Sequence, residues 1–187
     1  MSTKKKVVVI TGASGSGKST LAQKLAEDLG IKPIITHTTR PPRSYEQDGK
    51  DYYFETEETF FKNHLVENVK YGNYRYGSSK EGLEKAWEHN DIVSIVVETQ
   101  GAKTYLDTFK DQVIAIYLAV DSIEELKKRL IKRGDDPQKI EQRLKSDELK
   151  RDLEVPNYLQ GRVYEVKNNN FNKMLSKVEE IITEETR

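Results

Sequence analysis

The sequence predicts an α/β domain: a parallel sheet flanked by helices, with a small antiparallel or mixed lobe inserted into it and a helical lid. Three observations carry that expectation. The short apolar runs Val7–Thr11, Ile92–Val97 and Val113–Leu118 have the continuous character of strands buried on both faces. A helical pattern follows each, and such alternation implies parallel strands joined by right-handed crossovers. Two polar stretches, 36–79 and 131–151, break the alternation and stand apart from a core made of 1–35, 80–130 and 152–187.

The first run, Val7–Thr11, ends in glycines. Lys18–Leu29 then sets Leu21, Ala22, Leu25, Ala26 and Leu29 on one helical stripe, and Gly30 stops it. Residues 36–79 are rich in tyrosine. They mix short alternating pieces (Tyr52–Phe54, Tyr74–Tyr76 and the run LVENV at Leu65–Val69) with a short helix after Thr56. Ser122 with Glu125 reads as a capping box opening a helix that runs through Arg133. Ile131–Arg151 is charged and polar nearly all round, with Gly134 and Pro137 near its start, and is either a solvated helix or a mobile lid. A last helix is expected over Phe171–Thr183.

Bulk composition narrows the function classes. A chain of 187 residues suits one domain. Lys+Arg 31 against Asp+Glu 31 gives no net charge, which disfavours a nucleic-acid coat. The absence of cysteine removes disulfides and thiolate metal sites and fits a reducing compartment. The opening MSTKKKVVVITGASG is basic then apolar like a signal peptide, but Val7–Ile10 is too short for its apolar segment. No run reaches the length of a membrane span, so a soluble, cytoplasmic protein is expected. His37, His64 and His89 lie far apart without ligand spacing and read as incidental.

Gly12-Ala13-Ser14-Gly15-Ser16-Gly17-Lys18-Ser19 matches GxxxxGK[ST] between a buried strand and a helix, the context that a phosphate loop requires. Its glycines let backbone N–H groups turn inward around an anion, and the helix N-terminus adds positive potential. Lys18 would bridge the outer phosphates of a nucleoside triphosphate, and the Ser19 hydroxyl, with Thr20 beside it, would face Mg²⁺. Glu98 ends the strand run IVSIVVE and is a candidate for the metal's water shell; a solvated strand-end acid is the plain alternative.

A phosphate loop alone leaves hydrolase, switch and kinase open. The segment THTTRPPRSYEQDGKDYYF, Thr36–Phe54, bears on the choice. Arg40 and Arg43 flank two prolines on a stiffened loop, and guanidinium forks bind phosphate oxygens in pairs. Tyr52 and Tyr76 would add hydroxyl donors to the same anion. Holding an acceptor phosphate in line with a triphosphate is most of what phosphoryl transfer needs.

The pattern Thr36-x-Thr-Thr-Arg40-x-x-Arg43-x-x-Glu46-x-x-Gly49-x-Asp-Tyr52-x-Phe54 resembles the nucleotide-binding segment of guanylate kinases. Glu67, Tyr76-Gly77-Ser78, Gln100-Gly101, Arg129 with Arg133-Gly134, Arg143-Leu144 and Asn168 extend the resemblance over essentially the whole chain. It implies ATP-dependent, Mg²⁺-assisted conversion of GMP to GDP. Arg40, Arg43, Tyr52 and Tyr76 would grip the GMP phosphate, with Thr36, standing where the family commonly has serine, Glu46 and Gly77 also in the GMP-binding set. Glu67 would accept hydrogen bonds from guanine N1–H and the 2-amino group, with Ser78 donating to O6 and Glu98 nearby. Gly12 to Thr20 and Asn168 would bind ATP, and Lys18, Arg129, Arg133 and Arg143 would stabilise the transferred group. The partners implied are small nucleotides, with neither nucleic acid nor membrane, in a monomer or homodimer. The chain departs from the family at Val96, where an acid is usual, at Ser44-Tyr45, where a glycine is lost, and at Gly72-Asn73, displaced by one position. Two other readings stay open: a related kinase with another phosphorylated acceptor, and a non-catalytic guanylate-kinase-like module that binds phosphopeptides.

Overall fold

The computed structural model describes residues 5–187. The basic opening, Met1–Lys4, lies outside the described residues, as do the side chains of Glu148 and Arg151.

Two sheets organise the chain. The first is wholly parallel, in the order β6 (Ile92–Val96), β1 (Lys6–Gly12), β7 (Val113–Ala119), β8 (Tyr164–Lys167). Period-2 alternation along β1 divides the core into two layers. Val8 and Ile10 pack with Leu21 and Leu25 of α1 (Lys18–Leu29) and with Met174 and Val178 of α8 (Phe171–Glu185). Val7 and Val9 face the other way, onto Leu83 of α3 (Lys80–His89) and Ala102 and Tyr105 of α4 (Thr99–Phe109). The parallel α/β expectation is met, with each apolar run within a residue or so of a strand.

The second sheet lies in the tyrosine-rich stretch, in the order β3 (Tyr53–Phe54), β2 (His37–Thr38), β5 (Tyr74–Ser79), β4 (Leu65–Tyr71). It is mixed: β2 runs parallel to β3 and antiparallel to β5. The two-residue strand β2 has no period to read, and tertiary pairing alone creates it. The helix α2 (Glu57–Phe60) is opened by reciprocal bonds between Thr56 and Thr59, which satisfy its first N–H groups. His37 is not incidental. It is buried, bonded to Glu55 at 2.8 Å and to Ser79 at 2.7 Å, and so fastens β2 to the start of α3.

The stretch 131–151 is not one polar helix. After α5 (Ile123–Arg133) and its left-handed Gly134 cap come α6 (Pro137–Leu144) and α7 (Asp147–Asp152). Each buries an apolar residue, Ile140 and Leu149, and the Leu149 side chain packs with Leu126. The capping box at Ser122 is half formed: Ser122 accepts from the Glu125 N–H, while the Glu125 carboxylate turns to Arg129 at 3.3 Å.

Candidate active site

The phosphate loop bridges β1 and α1 in a conformation that only glycine adopts at its ends. Gly12 has φ 134°, and a Cβ there would lie 2.5 Å from the Leu118 carbonyl oxygen. Gly17 has φ 103°, and its Cβ would meet Asn168 Nδ2 at 2.5 Å. Asn168, after β8, is mostly buried and donates to the Ser16 carbonyl at 2.9 Å, so it clips the loop to the last strand. Lys18 folds back on the loop, with Nζ 2.7 Å from the Gly12 carbonyl and 2.8 Å from that of Ala13. Burial brings its ammonium down to about 8, partly countered by the charges of Asp152 and Glu98.

Two cavities open on either side of this loop. One, of about 580 Å³, is lined by Ser14, Gly15, Gly17, Lys18, Ser19 and Thr20, with Arg129, Arg133 and Asn168 opposite and Phe171 at its edge. The other, of about 990 Å³, runs from Gly12, Ser14 and Lys18 across to the second sheet, where Thr36, Tyr52, Glu67, Tyr76 and Gly77 line it. Glu98 and Arg143 close its sides. Ser14 and Lys18 line both cavities, so the loop is their shared wall.

Each residue named from the sequence now has a place. Ala13 and Ser16 are buried, Ala13 against Leu126, so only their backbone is available to a ligand. Arg129 and Arg133 line the smaller cavity and Arg143 the larger. Asp135, not singled out by sequence, holds Arg133 Nε at 2.7 Å and Arg143 Nη1 at 3.4 Å. Its carboxyl is kept below the ordinary range, by Arg133 first. The tight cluster of Arg40, Arg43, Tyr52 and Tyr76 forms only in part. Tyr52 and Tyr76 line the cleft with ring centroids 6.2 Å apart. Arg40 sits behind them, 5.6 Å from the Tyr52 ring, gripped by Glu46 through Nη1 at 2.9 Å and Nη2 at 2.7 Å. Arg43 points away: its side chain is exposed and bonded to the Tyr45 hydroxyl at 3.1 Å. Glu46 does not line the cleft either; besides Arg40 it accepts from the Arg43 backbone N–H at 2.7 Å, and this braces the loop.

At the far end of the cleft Glu67 accepts from Ser78 Oγ at 2.8 Å, and Ser78 is fully buried. Burial pushes the Glu67 carboxyl up, with the Ser78 bonds working against it and the Glu98 charge adding to it. Val96, 37% exposed, and Val69 give this end an apolar wall. Asp152, at the end of α7, is a cleft acid that no pattern marked; it accepts from Thr99 Oγ1 at 2.8 Å, and its charge acts on Lys18 in the same cavity.

Among the described residues no three His, Cys, Asp or Glu side chains cluster to hold a metal. Ser19 lines the smaller cavity and Glu98 the larger, so they face opposite sides of Lys18. A divalent ion here would be held chiefly by phosphate oxygens and water with one hydroxyl, which is how Mg²⁺ is commonly bound.

A parallel sheet, a glycine loop at the head of a helix and a second cleft sharing that loop define the P-loop class of nucleotide-binding α/β proteins. Within that class the family is fixed by comparison. The family model described as guanylate kinase matches residues 4–185, and the chain belongs to the guanylate kinase family. It is 38% identical over 144 residues to the guanylate kinase of Polaromonas sp., covering 74% of this chain and 69% of that protein. It is 35% identical to that of Caldanaerobacter subterraneus subsp. tengcongensis, over 99% of this chain and 91% of the relative. The fold matches the crystal structure of guanylate kinase from Anaplasma phagocytophilum with TM-score 0.68 and 24% identity, covering all of this chain and 88% of that one. No described helix is long and apolar enough to cross a membrane.

Proposed function

We propose that this chain transfers the γ-phosphoryl group of ATP to the phosphate of GMP, yielding ADP and GDP. The observation that carries the reading is the shared wall: Ser14 and Lys18 border both cavities, so two nucleotides bound there would meet phosphate to phosphate. The smaller cavity suits ATP. Loop amides from Gly12 to Ser19 cradle its phosphates, and Lys18 exchanges two carbonyl partners for phosphate oxygens. Ser19 would hold Mg²⁺, with Glu98 reaching it through water at most; the ion screens negative charge on the outer phosphates.

The larger cleft suits GMP. Tyr52 and Tyr76 offer hydroxyls, and Thr36 lies beside them. Arg40, bonded to Glu46 and the Pro41 carbonyl and interacting with the Tyr76 side chain, brings its positive charge up behind those hydroxyls. Arg43 joins only if its loop turns inward. Guanine places N1–H and the 2-amino group as paired donors, which an ionised Glu67 accepts; adenine has no such pair, and a site built to bond those groups rejects it. The acceptor is already an anion, so no general base is required. Arg143 from the GMP side and Arg133 from the ATP side, once Asp135 releases them, neutralise charge on the moving group together with Arg129. Closure of α5–α6 would exclude water and so protect ATP from hydrolysis. A monomer or homodimer in the cytoplasm is the setting we assign, in keeping with the cysteine-free sequence.

The test is ADP formation with Mg²⁺ and ATP across GMP, dGMP, AMP, IMP and UMP. GMP is expected to give the highest kcat/KM and AMP and UMP almost none. Another monophosphate outperforming GMP, or no acceptor raising ADP release, would overturn the assignment.

A further inference from the structure

Helix α4 forms the back of the cleft's deep end, and two residues one turn apart on it face the Glu67–Ser78 pair. Gly101 lets the helix approach: a Cβ there would lie 3.3 Å from Glu67 Cγ. Tyr105, fully buried, directs its hydroxyl to Ser78 Oγ at 2.8 Å, and Ser78 Oγ stands 2.8 Å from Glu67 Oε1. This is a three-member chain of hydrogen bonds, closed to solvent at the tyrosine end and open to the cleft at the carboxylate end.

Counting protons fixes its direction. An ionised Glu67 only accepts, so Ser78 must give it the single hydroxyl proton it has. Ser78 then has none left for Tyr105, and Tyr105 must be the donor. In this arrangement Ser78 has no proton to offer a purine O6; its task is to hold the carboxylate. Donation from Tyr105 polarises the Ser78 O–H and strengthens the bond to Glu67, as chained hydrogen bonds do in a low-dielectric interior.

We propose that Tyr105 is a specificity-determining positioning residue: through Ser78 it fixes the Glu67 carboxylate so that both oxygens, and not one, are presented to the base of the acceptor nucleotide. The proposal rests on the larger cleft being the GMP site. A purine with paired N1–H and 2-amino donors benefits from the fixed carboxylate, whereas IMP, which lacks the 2-amino group, needs one oxygen only. Tyr105 therefore sets the preference between the two.

Tyr105→Phe, assayed in the full chain, is expected to raise KM for GMP about three- to tenfold with kcat within about twofold, the scale of one buried hydrogen bond. kcat/KM for IMP stays within about twofold, and the acid limb of the GMP profile moves to higher pH because Glu67 loses support for its ionised form. Loss of GMP and IMP activity by the same factor, or an unmoved acid limb, would mean that Tyr105 serves folding alone. Replacing Tyr105 by 3-fluorotyrosine, a stronger donor of nearly the same size, guards against misfolding; it must shift the acid limb the opposite way, and an unmoved limb overturns the proposal. A wild-type protein that makes no GDP removes the GMP reading itself, whereas an active wild type with an unaltered Tyr105→Phe profile removes only the role of Tyr105.

Discussion

Replacing Glu67 by glutamine separates what the cleft needs for recognition from what the fold needs for stability. The carboxylate accepts from Ser78 and presents its remaining capacity to the cleft. An introduced amide keeps the volume and the Ser78 bond but turns one acceptor into an N–H donor that opposes a guanine donor. The oxygen that remains still accepts, so one hydrogen bond to a charged acceptor is lost, worth about 1.5–3 kcal/mol, or about 10–10² in kcat/KM for GMP. Stability should move the other way. Burial raises the folded-state pKa of Glu67 above the usual 4.5, so the folded protein binds more protons than the unfolded chain as pH rises through that window. Stability from this group is thus present below the unfolded pKa and lost as pH rises through the folded one, and at pH 7 the buried charge is a cost. The glutamine variant should therefore melt higher than wild type at pH 7, with the gain vanishing at pH 4. The assays are steady-state kinetics with GMP at saturating ATP and thermal unfolding at both pH values. Kinetics on GMP within about threefold of wild type, together with a lowered Tm at pH 7, would refute the carboxylate's role in reading the base.

Arg143→Met should depress kcat by about 10²-fold or more with little change in GMP affinity by calorimetry, since Arg143 lines the cleft beside Lys18 but lies outside the Glu67 end; unchanged turnover removes it from the transfer step. Asn168→Ala deprives the buried Ser16 carbonyl of its 2.9 Å donor, which should cost about 1–3 kcal/mol in urea unfolding and raise KM for ATP more than KM for GMP; equal effects on the two would show that the clip is not specific to the phosphate loop. Lys18, held near 8 in the folded protein against 10.5 when unfolded, binds fewer protons folded than unfolded between those values, so stability should climb with pH across that window. Lys18→Met should remove that slope and abolish turnover; an unchanged slope would place the titration elsewhere.

The sequence by itself determined the elements whose signal is local. A buried strand, a glycine loop and an amphipathic helix each depend on neighbours within a few residues, so Val7–Thr11, Gly12–Ser19 and Lys18–Leu29 were legible from spacing alone. The inserted lobe was legible as an interruption, and the residues lining its cleft, Tyr52, Glu67 and Tyr76, through resemblance to a family. Only the tertiary structure decided what depends on partners far along the chain. β2 exists because β5, far along the chain, pairs with it, His37 against Gly77 and Thr38 against Tyr76, not because two residues carry a pattern. Tyr105 reads as one apolar position in a helix until the fold sets its hydroxyl against Ser78, 27 residues distant. Asp152 carried no pattern until α7 set it on the same cleft as Lys18. Arg43 carried the opposite lesson: its proline-stiffened context marked it for the cleft, yet its guanidinium lies in solvent beside Tyr45. Hydrogen bonds and ion pairs are short-ranged in space but indifferent to separation along the chain, so a one-dimensional pattern records which groups are available and the folded backbone selects which of them meet.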